Sequence, residues 1–141
     1  MGPVWIQDVH ISVVGKGSAA RLDREVPESI PTYPEADMFG ELPCYGLYCR
    51  HVNGLVLDRV DFALENPDER PAFVADAAKR MDLLSFRAAP PAGNQPTLVF
   101  HDVQHALMQG ARALPGTRTF LQLIGSDVGD IRAIGNDSSD A

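Results

Sequence analysis

The sequence contains few cysteines, no cluster of basic residues and no long apolar run. Two cysteines, Cys44 and Cys49, occur among 141 residues, which is too few for a disulfide scaffold. No apolar run approaches the ~18 residues needed to cross a bilayer, so we expect no membrane partner. The formal net charge is -7, and a surface of that sign repels phosphates, so we expect no nucleic-acid partner.

Residues 1–8 lack the basic segment and the apolar segment that together form a signal peptide. We therefore expect a cytoplasmic protein if the chain is complete, or an export signal on sequence that precedes it. Hydrophobic residues make up 45% of the chain and charged residues 22%, which is the balance of an ordinary globular protein. A length of 141 residues predicts one domain with a buried core.

An internal repeat of about 25 residues runs through the chain. Blocks that share one pattern of apolar positions begin at Val52, Ala78, Val103 and Val128. Each block starts with an apolar residue, continues with two spacers and then alternates between apolar and polar residues. This alternation has the period of two that is typical of a half-buried strand.

Shorter strand-like segments precede these blocks, each with two apolar residues two positions apart. The segments are 46–49, 72–75, 97–100 and 120–123. A further copy of the main block opens the chain and repeats the apolar pattern of the block at Val52. The matched positions are Val4 with Leu55, Ile6 with Leu57, Val9 with Val60, and Ile11 with Phe62.

Two short strands per repeat predict one coil of a solenoid, because a single coil cannot bury its apolar face alone. A helix pair would need about 33 residues per repeat, and a leucine-rich repeat would need a stricter leucine pattern. We therefore predict an all-β fold, a right-handed parallel β-helix of about four to five coils, as a single domain over residues 1–141. The coils are expected near residues 1–13, 45–64, 71–89, 96–114 and 119–136.

Residues 14–44 interrupt the repeat with many prolines, glycines and charged residues, a composition that predicts a loop insertion. Loops of about 30 residues are usually functional or disordered. The aromatic and apolar residues of 33–40 predict that this half of the loop packs on one flank of the coils. We expect a turn at 65–71 and a polar tail at 136–141 that frays or caps the last coil.

The run from Tyr33 to His51 contains Tyr-Pro-Glu-Ala-Asp-Met-Phe-Gly, Leu-Pro, Tyr-Gly-Leu-Tyr and Arg-His. With Asp-Glu-Arg-Pro-Ala at 68–72 and the segments Phe-Leu and Ile-Gly-Asn-Asp near the end, it resembles the C-terminal part of bacterial polygalacturonase-like proteins. These belong to glycoside hydrolase family 28 and have a pectin-lyase-like β-helix. The resemblance implies a polysaccharide or oligosaccharide partner, and relatives that are exported or periplasmic.

The signature strings of that family are Asn-x-Asp, Asp-Asp, Gly-His-Gly and Arg-x-Lys, which supply the carboxylates for inverting hydrolysis. The last three strings are absent here, and Asn66-Pro67-Asp68 matches the first by letters only, in a proline-rich turn. We therefore assign no catalytic residue and expect a non-catalytic C-terminal portion or relative of such a hydrolase. Two alternatives stay open: an active hydrolase with a rearranged site in loop 14–44, and a self-associating structural or interaction module.

Candidate ligand-binding residues lie in the loop insertion and in the strand that follows it. They are Tyr33, Glu35, Asp37, Tyr48, Arg50 and His51. The tyrosines can stack on sugar rings or pack the loop onto the scaffold. Arg50 and His51 can contact a sugar or a carboxylate at the rim of a cleft, or Arg50 can hold the loop through an ion pair with Glu35 or Asp37.

His101 and His105 have the spacing of zinc ligands on a helix, but the repeat places them across a junction between strand and turn. No third ligand has a suitable spacing, so we predict no metal and no cofactor. Cys49 occupies the repeat position of Ala75, Phe100 and Leu123 and is predicted to be a buried core thiol. Cys44 lies outside that column, so we expect no disulfide.

The first predicted coil has nothing stacked on its outer side if the chain begins at Met1. An open end of this kind presents an unpaired strand edge and apolar residues such as Val4 and Ile6, which invite association. We expect either a homo-oligomer through this end, with two-fold symmetry, or missing N-terminal coils that cover it.

Overall fold

The computed structural model describes residues 3–19, 26–28 and 41–139. Within these ranges the chain forms the strands β1 (Val4–Val13), β2 (Leu47–Arg50), β3 (Asn53–Leu64), β4 (Phe73–Asp76), β5 (Lys79–Leu84), β6 (Arg87–Ala88), β7 (Leu98–His101), β8 (Gln104–Gln109), β9 (Arg112–Ala113), β10 (Leu121–Ile124) and β11 (Gly129–Ile134). None of the residues in these ranges belongs to a helix that is long and apolar enough to cross a membrane.

The strands form two sheets, and the chain crosses from one sheet to the other in every repeat. Sheet 1 contains β11, β8, β5, β3 and β1 in spatial order, with the short strands β6 and β9 continuing from the second half of β3. Sheet 2 contains β10, β7, β4 and β2 in order. The pairing is parallel throughout these ladders. The predicted all-β parallel β-helix is therefore confirmed.

The predicted register of the repeat is also confirmed. In sheet 1, Leu55 pairs with Met81, which pairs with Ala106, and that residue pairs with Ile131. The opening strand β1 stacks on β3 with Val4 beside Leu55 and with the three other matched positions in the predicted register. Stacking of coils fixes this register, because a slip by one residue would turn the apolar face outward.

The number of coils is lower than expected. The chain makes about three regular turns between β3 and β11, and the predicted four to five coils are wrong to that extent. The reason is the insertion: β1 adds one strand to sheet 1, and the described residues between β1 and β2 form no strand opposite it in sheet 2. Among the described residues, the first coil thus consists of β1 alone.

Apolar side chains fill the space between the sheets. Three fully buried rings form the centre: Phe73 lies 6.4 Å from Phe86 and 6.1 Å from Phe100, measured between ring centroids. Phe62 extends the row, at 5.9 Å from Phe86 in an edge-to-face arrangement. Each ring comes from a different strand or turn, so the row ties successive coils together.

The corners of the coils contain residues with positive φ, one above the other. One such column consists of His51, Ala77, Asp102 and Gly125, with φ values of 58°, 51°, 52° and 104°. It lies where the chain leaves sheet 2 for sheet 1. Only Gly125 among the four is a glycine. Stacking of the coils therefore holds the other three residues in a left-handed backbone conformation, which costs a residue other than glycine roughly 1–2 kcal/mol.

The polar tail caps the last coil through residues 136 and 137. The side chain of Asn136 accepts a hydrogen bond from the Ala111 amide at 2.9 Å and donates one to the Met108 carbonyl at 3.0 Å. Asp137 pairs with the backbone of the preceding coil next to Arg112. The tail was predicted either to fray or to cap the last coil, and residues 136 and 137 cap it.

Candidate functional site

A groove of about 740 Å³ runs over the outer face of sheet 2. Side chains alternate in direction along each strand, so every second residue of β2, β4, β7 and β10 faces outward into it. Four strands at a spacing of ~4.8 Å give a length of ~14 Å along the solenoid axis. This length suits a short oligomeric ligand that lies across the coils.

Two columns of side chains line the groove. The first consists of Tyr48, Val74, Val99 and Gln122, and the second consists of Arg50, Asp76, His101 and Ile124. The first column has an apolar centre, and the second carries hydrogen-bonding groups along most of its length. The groove therefore offers an apolar strip beside a polar one.

Arg50 holds the described part of the loop insertion against the groove. One terminal nitrogen of its guanidinium donates to the Val26 carbonyl at 2.5 Å and the other donates to the Pro27 carbonyl at 3.3 Å. Its Nε lies 3.7 Å from the Glu28 carboxylate, and the side chain is 16% exposed. Arg50 thus anchors the loop through 26–28. The pairing with Glu35 or Asp37 that the sequence suggested involves residues outside the described ranges.

His51 binds the same carboxylate. Its Nε2 lies 2.7 Å from Glu28 Oε1. The pKa of Glu28 is lowered, first by this hydrogen bond and then by the positive charge of Arg50. Glu28 is therefore ionised at neutral pH and shared between two basic side chains.

Tyr48, Asp76 and His101 form a connected group in the middle of the groove. Asp76 accepts hydrogen bonds from the Tyr48 hydroxyl at 3.4 Å and from His101 Nδ1 at 2.9 Å when that nitrogen is protonated. His101 Nε2 lies 3.5 Å from Asp102. Burial of the ring raises the pKa of Tyr48, and the Asp76 carboxylate acts in the same direction. The Arg50 guanidinium lies 5.9 Å from the Tyr48 ring centroid.

The structure therefore brings together three of the six candidate residues, Tyr48, Arg50 and His51. The other three, Tyr33, Glu35 and Asp37, lie outside the described residues. Asp76 was not among the candidate residues predicted from the sequence, and His101, at the junction of strand and turn, was considered only as a metal ligand. The repeat register contained the missing signal, because it sets both residues level with Arg50.

Asp68, the letter match to the catalytic string, lies elsewhere. Its side chain has 0% exposure and is not part of the groove lining. It accepts hydrogen bonds from the Gly17 amide at 2.9 Å and from the Arg70 amide at 2.9 Å, Nε at 3.0 Å and Nη2 at 2.8 Å. Within the predicted turn at 65–71, Asp68 is therefore a buried anchor that holds the start of the loop insertion through Gly17.

The histidines and cysteines that could suggest a metal site are separated. His101 belongs to sheet 2, and His105 belongs to sheet 1, where its Nδ1 lies 2.9 Å from Asp130. Within residues 3–19, 26–28 and 41–139, no three His, Cys, Asp or Glu side chains are grouped to hold a metal ion.

Cys44 and Cys49 are free thiols, and burial raises the pKa of each to about 12. Cys49 lies in the column of Ala75 and Phe100, as predicted, and packs against the core, but it is only partly buried, whereas Cys44 is the buried thiol.

Comparison of the chain with protein-family models, with curated proteins and with solved structures finds no match. The chemistry of the groove must therefore be interpreted from its own residues. An apolar strip beside hydrogen-bonding groups suits a ligand with one apolar face and one rim of hydroxyl groups.

Proposed function

We propose that this chain is a non-catalytic β-helix portion or relative of a polygalacturonase-like glycoside hydrolase, and that it contacts carbohydrate through the groove on sheet 2. The observation that carries this proposal is the pairing of the two columns, an apolar one beside a hydrogen-bonding one. A sugar ring has a face of C–H groups and a rim of hydroxyls, so the two columns match its two kinds of surface. The likeness of residues 33–51 to that family supports the same ligand class.

The lowered pKa of Glu28 and the hydrogen bonds of Asp76 support a binding role over hydrolysis. A general acid in a glycosidase needs a raised pKa so that it is protonated when the bond breaks. Glu28 has the opposite shift, because His51 and Arg50 stabilise its ionised form. Asp76 is occupied by Tyr48 and His101. The sequence also lacks three of the four signature strings of the family.

Replacing Tyr48 with alanine should weaken oligosaccharide binding by roughly two- to tenfold, because a ring contact is worth about 0.5–1.5 kcal/mol. Tyr48→Phe keeps the ring and removes only a 3.4 Å hydrogen bond to Asp76, so it should bind nearly as well as the original chain. Isothermal titration calorimetry with a panel of plant oligosaccharides measures both affinities. Urea unfolding of each variant separates lost contact from lost fold. Equal binding by all three proteins would contradict the proposed groove.

Exposed apolar residues at the ends of the solenoid favour a second candidate, self-association. Trp5 on β1 is 64% exposed and Ile134 on β11 is 52% exposed. The outer edges of β1 and β11 have no strand paired to them within the described chain. Edges and patches of this kind associate, so a two-fold contact between like ends would cover them.

Sedimentation velocity over a wide range of protein concentrations tests this second candidate. An oligomer through an open end should give a mass above 15.3 kDa that rises with concentration. Ile134→Lys should return an oligomer formed through β11 towards the monomer, and Trp5→Lys should do the same for an oligomer formed through β1. The variant at the other end is the charge-matched control in each case. A monomer at every concentration would exclude self-association as the function.

A further inference from the structure

The guanidinium group in the described part of the groove is already bound by the loop insertion. Arg50 is the one arginine or lysine in the described lining, and each of its guanidinium nitrogens faces a loop carbonyl or the Glu28 carboxylate. A guanidinium recognises a carboxylate best through two parallel hydrogen bonds from a free fork. Arg50 is 16% exposed, and its fork is directed at the loop. An acidic sugar would find no free fork there.

The net charge of the groove is negative. With neutral histidines, the described lining carries one positive charge on Arg50 and two negative charges on Glu28 and Asp76. Residues 20–25 and 29–40 contain two arginines and four acidic residues. Two positive and four negative charges give these segments a net formal charge of -2. The net charge of the whole chain, -7, acts in the same direction on a polyanion.

The same groups are well suited to hydroxyls. Carboxylates accept hydrogen bonds from sugar hydroxyls, and the side-chain amides of Gln95 and Gln122 both donate and accept. Val74 and Val99 face the space between these groups. The described lining thus offers groups that bind a neutral sugar, and its one arginine is already engaged by the loop.

We propose that the groove is selective for neutral glycans and excludes uronic-acid chains with free carboxylates. This inference rests on the proposed function and narrows its ligand class. It reverses the expectation that the resemblance to pectin-degrading proteins would suggest for an unmodified polygalacturonate chain. Exclusion arises from charge, because a free carboxylate would approach Glu28 or Asp76 with no unengaged arginine or lysine among the described groove residues.

The test compares one sugar backbone in two charge states. A galacturonate oligosaccharide with free carboxylates and the same oligosaccharide with every carboxylate methyl-esterified are titrated at pH 7 and low ionic strength, where charge effects are largest. The ester should bind about tenfold tighter, which corresponds to ~1.4 kcal/mol of repulsion. Equal or tighter binding of the acid form, with both forms weakened by Tyr48→Ala, would overturn neutral selectivity and leave the groove function intact. Failure of both forms and of neutral plant glycans to bind would overturn the proposed function itself.

A second variant checks the cause of the selectivity. Glu28→Gln removes the carboxylate that occupies Arg50 and His51, so affinity for the acid form should rise relative to affinity for the ester, and the ratio of the two affinities should move towards one. Asp82→Asn is the matched control, because it makes the same change of charge in sheet 1, at the other surface of the solenoid. For Asp82→Asn, the ratio of ester affinity to acid affinity should equal the ratio measured for the original chain. A ratio that moves equally in both variants would show an effect of total charge and contradict the role assigned to Glu28.

Discussion

Phe73→Ala should lower the free energy of unfolding by about 3–5 kcal/mol, the range measured when a buried aromatic ring is deleted. Phe73 has 0% exposure and contacts rings on both sides, Phe86 and Phe100. Its loss leaves a cavity between successive coils and breaks the row of rings that connects them. Stacked repeats depend on such contacts between neighbours, because each coil contacts only the adjacent ones.

Urea denaturation followed by circular dichroism measures this loss, provided that the slope of free energy against urea is unchanged. Phe120→Ala is the matched control, because Phe120 is only partly buried at the last turn. Its loss should be clearly smaller. A loss below about 1 kcal/mol for Phe73→Ala would mean that the coils are not held by this row of rings.

Asp68→Ala should also destabilise the fold, by about 3–5 kcal/mol, because it leaves the charge of Arg70 without its partner in a largely buried position. The side chains of Asp68 and Arg70 are 0% and 15% exposed. Arg70 also donates to the Leu42 carbonyl at 3.3 Å, so the pair joins the two ends of the loop insertion to the solenoid. Thermal and urea unfolding should show the loss of stability. Limited proteolysis should cut the variant within 14–44 earlier than it cuts the original chain. Glu65→Ala, an exposed acid in the same turn, should change stability by less than about 0.5 kcal/mol.

The contribution of Asp68 should depend on pH in a defined direction. Burial tends to raise the pKa of Asp68, but hydrogen bonds from Arg70 and Gly17 outweigh burial and lower it below the ordinary value. The folded state then binds the proton less readily than the unfolded state does. The stabilisation is therefore complete above about pH 5 and is lost as pH falls through the folded pKa. The difference in stability between the original chain and Asp68→Asn should shrink with acidification below about pH 4, and a constant difference down to pH 3 would contradict this assignment.

The register of the fold could be predicted from the sequence because stacking repeats one physical constraint in every coil. Inward positions must be apolar and must lie one above the other, so the apolar pattern alone matches Val4 to Leu55 and Cys49 to Phe100. The two faces of each strand then follow from the period of two. The outward residues of the groove were set by the same alignment, although only part of their chemistry was recognised.

Other features could not be predicted because they depend on contacts that produce no repeating pattern in the sequence. Ala77 occupies a left-handed corner, a conformation that the sequence suggests only where glycine or asparagine stands. The burial of Asp68 depends on Gly17, which lies 51 positions away along the chain. The predicted number of coils was too high for a related reason. The apolar pattern of β1 does not show whether a strand of sheet 2 follows it, and none follows among the described residues between β1 and β2.

The most direct test of the central claim is one nuclear magnetic resonance titration of the isotope-labelled chain with a neutral plant oligosaccharide. Carbohydrate binding in the groove predicts amide shift changes confined to β2, β4, β7 and β10 with their adjoining turns, and no new anomeric signals from reducing ends over time. New anomeric signals that disappear when Glu35 and Asp37 are both replaced by alanine would instead place an active hydrolase site in loop 14–44. Shift changes on sheet 1, or none with any neutral glycan, would show that the groove on sheet 2 is not a carbohydrate-binding site.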